Sequence, residues 1–148
     1  MLEHGCETLA QEVIFGKITV WMREIFGEYA EEIEDQPAFA IQMGSCLVFL
    51  AVRPWGDNDA TISISSLVVR QPNLTADLMH FLLNENTGNI FGRFGIDDDG
   101  DVVLDHCLVG STCDKEEIRA ATRIMISMAD RYDDEITARW GGKRAADR

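Results

Sequence analysis

Hydrophobic positions change period along this chain, and each change marks an element. Ile14, Ile18, Trp21, Met22 and Ile25 recur at i, i+4, i+7, i+8 and i+11, the stripe of an amphipathic helix. Gly27 follows Phe26 and suits the left-handed residue that ends a helix, while Gly16 weakens the early turns. The acid-rich residues 28–35 then read as a connection closed by Pro37.

Residues 39–43 and 46–52 read as strands joined by a tight turn at Gly44-Ser45. The second run is apolar on both parities, with Leu47, Phe49 and Ala51 opposed to Val48, Leu50 and Val52. Such a strand is expected to be buried on both faces. Pro54 ends its pairing, and Gly56-Asp57-Asn58-Asp59 makes a loop. Thr61, Ser63 and Ser65 then alternate with Ile62 and Ile64, as in a half-exposed strand, before Leu67, Val68 and Val69 break the pattern.

Asn73 or Thr75 can cap a second helix carrying Leu74, Leu78, Phe81 and Leu82. A hairpin follows, with strands at 92–96 and 102–108 about an acidic Asp-Gly turn. The last helix opens with Asp114 and Glu117 at capping-box spacing and carries Ile118, Ala121, Met125, Met128, Ala129, Tyr132 and Ile136. The order α-β-β-β-α-β-β-α predicts an α+β fold, a five-stranded antiparallel sheet with helices on one face. Residues 1–138 form one domain, and 139–148 a flexible tail that frays from Trp140-Gly141-Gly142.

Composition narrows the function classes. With 148 residues, 46% of them hydrophobic, the chain can build one core, and whole-chain disorder is excluded. The longest apolar run has seven residues where a bilayer-spanning helix needs about 20, so no membrane insertion is expected. A net charge of −13 repels phosphate backbones and anionic lipid, which argues against nucleic-acid partners. The first residues lack a basic and then apolar leader, and Cys6, Cys46, Cys107 and Cys113 form no CxxC pair. Both features predict a reducing, cytoplasmic setting, in which the sequon Asn73-Leu74-Thr75 has no meaning.

No catalytic constellation emerges. The acidic turn 97–101 fails the calcium-loop pattern, because counting from Gly100 puts His106 where a glutamate is needed. His106 and Cys107 point to opposite faces of a strand, and with Cys113 they lack paired zinc-ligand spacing. Cys113 stands at a helix start, but Asp114 and Glu116 oppose a lowered thiol pKa. Asp105, His106 and Ser111 are close in sequence without a GxSxG elbow, and no phosphate-binding glycine motif occurs. His80, beside Phe81, reads as a partly buried surface histidine. The expectation is therefore a non-enzyme with no cofactor and no metal. Trp21 reads as core; Trp55, Leu67 and Val69 interrupt polar patterning at strand ends and are the candidate partner-binding residues. The doubly apolar second strand asks for a cover on the second sheet face, either another copy or a bound chain.

Element order and local sequence together resemble a known family. Leu83-Asn84-Glu85-Asn86, Gly92-Arg93-Phe94-Gly95-Ile96-Asp97, Asp99-Gly100-Asp101-Val102-Val103-Leu104 and a long helix reaching Ala129-Asp130 resemble the type III secretion chaperone fold and the related YbjN-like domain. The likeness is local over the last half of the chain and one of element order over the first. It implies a homodimer that binds an extended segment of a protein client across apolar grooves, without chemistry or ATP. The YbjN-like branch implies an alternative, a regulatory or small-ligand-sensing domain. A thiol-dependent enzyme or redox sensor using Cys113 or Cys107 is a third reading.

Overall fold

The computed structural model describes residues 2–147; Met1 and Arg148 lie outside the described residues. The chain folds as helix α1 (Leu9–Phe26), a 3-10 turn (Gly27–Tyr29), strands β1 (Ala30–Glu32), β2 (Ala38–Met43), β3 (Cys46–Trp55) and β4 (Asp59–Arg70), helix α2 (Ala76–Gly88), strands β5 (Arg93–Ile96) and β6 (Val102–Val109), helix α3 (Lys115–Trp140) and strand β7 (Lys143–Arg144). The α+β class and single-domain organisation stand. The sheet has seven strands rather than five, in the order β1-β2-β3-β4-β6-β5, with β7 paired to β4. All the pairings are antiparallel.

The two added strands have clear causes. β1 lies inside the acidic connection, too short and too polar to show a period, yet Ala30–Glu32 pair with Ile41, Ala40 and Phe39. β7 lies in the expected tail. β4 runs past the start of β3, and Lys143 and Arg144 pair with its Arg70 and Val69. The stripe Tyr132, Ile136 continues at i+4 to Trp140, which is buried and stacks on Phe81 with ring centres 5.1 Å apart. The boundary at 138 is therefore corrected: ordered pairing runs on through 144, and Arg144 is held further by Asp134 and Asp147.

Local chemistry fixes the helix starts. Thr8 accepts a hydrogen bond from the Gln11 amide, Thr75 from Leu78 and Asp114 from Glu117, so Thr75 rather than Asn73 caps α2. The cap at Thr8 and the buried Gln11 amide, which donates to the Val52 carbonyl at 2.8 Å, hold α1 open to Leu9 despite Gly16.

The core lies between the sheet and the helices. Val48, Leu50, Val52, Ile62, Ile64 and Leu104 point from the sheet toward Ile18 and Met22 of α1 and Ile118, Ala121, Met125 and Ile136 of α3, all buried. Trp21 is half-buried at the rim of this layer, with the Lys17 ammonium 5.1 Å from its ring. The β6–α3 connection passes beneath α1 at Gly110, whose amide donates to the Ala60 carbonyl at 2.7 Å. A Cβ here would stand 2.7 Å from that oxygen and 3.1 Å from two Ile14 side-chain atoms, so only glycine fits.

Candidate protein-binding surface

The strands that bury one row of side chains toward the helices expose the alternate row. Leu47, Phe49, Ala51, Arg53 and Trp55 of β3, Thr61, Ser63, Ser65 and Leu67 of β4, and Val103, Asp105, Cys107 and Val109 of β6 share this second face by register. None of them is fully buried. The face is apolar along β3, small and hydroxylated along β4, and mixed along β6. β3 is thus buried on one face only, and the other face lies open in the single chain.

The candidate residues fare differently on this surface. Trp55 is exposed, at 56% of its full accessible area, where β3 enters the turn to β4. Leu67 lies on the same face, half-buried, but eight positions from Asp59, the cross-strand partner of Trp55, or about 27 Å at strand spacing. The two do not form one patch. Val69 is fully buried and belongs to the core. A register shift between Leu67 and Val69 turns both Val68 and Val69 inward, so the assignment of Val69 to a partner surface is corrected.

A second surface was missed by the sequence reading. Leu9, Val13 and Val20 make an apolar stripe on the solvent side of α1, each more than half exposed. Beside it runs an open groove of about 490 Å³, lined by Leu9, Ala10, Val13 and Lys17 of α1, by Asp57 and Asn58 of the β3–β4 turn, and by Ser111. The signal was present in the spacing i, i+4, i+11, but the stronger stripe beginning at Ile14 masked it. The groove and Trp55 meet at the two sides of the same turn.

The remaining polar groups are arranged structurally. Ser111 donates its hydroxyl to Asp59 at 2.7 Å, and Asp59 also accepts the Ser111 and Ala60 amides; these bonds, led by that of the hydroxyl, hold its carboxyl below the usual range. Asp97 accepts the Asp99 and Asp101 amides, closing the acidic turn upon itself. His106 accepts the Gly92 amide through Nδ1 and packs on Phe91, whereas Cys107 lies exposed on the open face. All four cysteines are free thiols. Burial pushes the Cys6 and Cys113 thiols up, and burial with neighbouring carboxylates takes Cys46 to about 11. No helix among the described residues is long and apolar enough to cross a membrane.

Comparison with known proteins identifies the family and the fold. Residues 17–148 match the family model described as T3SS (YopN, CesT) and YbjN peptide-binding chaperone 1. The match spans most of the chain, and the chain belongs to this family. Among solved structures, it is similar to one in the crystal structure of the ExsC–ExsE complex, with a TM-score of 0.64, 15% identity, and 82% of this chain and 95% of that one covered. It is also similar to one in the HopA1–SchA chaperone–effector complex, with a TM-score of 0.62, 8% identity, and coverage of 82% and 94%. At these identities the likeness is one of fold. No curated protein sequence matches the chain.

Proposed function

We propose that this member of the peptide-binding chaperone family is a non-catalytic holder of an extended protein segment and works as a homodimer in the cytoplasm. The observation that carries the reading is the groove beside the exposed stripe of α1. It is bounded on both sides, apolar along the helix, and flanked by the exposed Asp57 and Asn58 of the β3–β4 turn, whose side chains can bond a peptide backbone. A net charge of −13 favours a client segment that is neutral or basic.

The open sheet face suits a different occupant. It is broad, and the Ala51, Ser63 and Ser65 side chains at its middle let another surface come close. A second copy would cover it through an isologous contact centred on Phe49 and Leu47.

Two measurements test the reading. Sedimentation at micromolar concentration should give a dimer, and a clean monomer removes the second copy. Co-purification from the source cell, followed by mass spectrometry, should recover a polypeptide bound by the wild type and lost from Val13→Asp, with the dimer mass unchanged. Equal recovery by Val13→Asp would move the client off the groove.

A further inference from the structure

The β2–β3 turn brings Ser45 and Cys46 against α3 where Asp130 and Asp133 lie one helical turn apart. Ser45 Oγ is 3.2 Å from Asp130 Oδ1 and 3.0 Å from Asp133 Oδ2, and Cys46 Sγ is 4.0 Å from Asp130 Oδ1. One ligand atom from each of Cys46, Asp130 and Asp133 lies within 4.8 Å of the others.

The hydrogen count of this cluster does not close. A serine hydroxyl has one hydrogen, so Ser45 can satisfy only one of the two carboxylates facing it. Asp133 is 2% exposed, and its Oδ1 has no hydrogen-bond partner. Arg144, the cation nearby, is engaged by Asp134 and Asp147. A buried carboxylate so placed needs a positive charge or a proton.

We infer that Cys46, Asp130 and Asp133, with Ser45 as neighbour, form a binding site for a thiophilic divalent metal ion of the zinc class. The spacing fits. Tetrahedral zinc, with bonds of about 2.3 Å to sulfur and about 2.0 Å to oxygen, sets its sulfur and oxygen ligands about 3.5 Å apart and its oxygens about 3.3 Å apart. Cys46 Sγ and Asp130 Oδ1, 4.0 Å apart, must close by about half an ångström on that edge, and the three ligand atoms already lie within 4.8 Å of one another. The sulfur ligand disfavours magnesium and calcium, which take oxygen donors. Binding forms a metal–sulfur bond and releases the thiol proton to solvent. Exposed Asp130 gives the ion its way in, and the ion would pin the β2–β3 turn to α3.

Cobalt(II) added to the metal-free full chain is the direct probe. One equivalent should raise a thiolate-to-cobalt charge-transfer band that zinc displaces and magnesium does not. Cys46→Ser should abolish the band, and Asp130→Asn should weaken cobalt binding about tenfold or more. Absence of a band overturns the site, as does a band that survives in Cys46→Ser and vanishes in Cys107→Ser. If Cys46→Ser fails to fold by circular dichroism, Asp130→Asn, altered at an exposed position, decides: unchanged affinity overturns the site. Failure to bind cobalt, with a carboxylic-acid stretch in the infrared that Asp133→Asn removes, would assign the missing charge to a proton and overturn the metal.

Discussion

The two faces of the sheet are built from alternate residues of the same strands, yet they answer to different demands. Toward the helices, Val48, Leu50, Ile62, Ile64 and Leu104 are withdrawn from water. On the other side β4 presents Thr61, Ser63 and Ser65, as a strand with one wet face should. β3 does not follow suit, for it keeps Leu47, Phe49 and Ala51 outward. The covered row is what the single chain needs to fold. The outward row of β3 is apolar without serving that end, which is why we propose it as the surface for self-association.

The sharpest break of this comparison is one substitution made on each side. Leu50→Asp places an unpaired carboxylate in the core and should cost about 5 kcal/mol or more, read as loss of the folded state in urea melts. Phe49→Asp, one residue away, should keep the melt near that of the wild type while weakening self-association about tenfold or more by sedimentation. Unfolding by Phe49→Asp would make its row part of the core. Next in size, Trp140→Ala should lower stability by about 3 kcal/mol, because the tail is core rather than fringe. An unchanged melt would return residues 139–148 to the fringe.

The smallest effect concerns the rim of the β5–β6 hairpin. Burial holds the His106 pKa below its ordinary 6.5, with Asp105 opposing and Arg93 reinforcing the shift, and protonation would also break the bond from the Gly92 amide. Below pH 6.5 the unfolded chain binds a proton that the folded chain resists, so stability falls as pH drops from there through the lower folded pKa. His106→Asn should flatten the slope of melting temperature against pH in that window. An equal slope in both proteins would show that His106 does not contribute.

The long elements were legible because their periods are internal to the sequence. The stripe from Ile14, the alternation around Ile62 and Ile64, and the Asp114–Glu117 cap each carry their own signal. What was hidden depends on distant partners. β1 and β7 exist because β2 and β4 leave ladder positions to fill. Val69 was misplaced because a bulge reverses parity, although the break in alternation at Leu67, Val68 and Val69 was its trace. Of the candidate surface, the outward row of β3 and Trp55 could be read, whereas the groove needs α1, the β3–β4 turn and Ser111 side by side. The pairing of Cys46 with Asp130 and Asp133 spans more than eighty positions and left no local mark.

Gly110 gives that groove an internal gauge. Its missing methyl lets Ile14 rest on the passing backbone, and Lys17 donates to its carbonyl at 3.1 Å, so the height of α1 above the sheet is set at this crossing. Any larger residue there would act as a shim, lifting the helix and widening the channel beside Leu9 and Val13. Under the proposed function, the calibre of guest would in that sense be written at a position outside the lining of the groove.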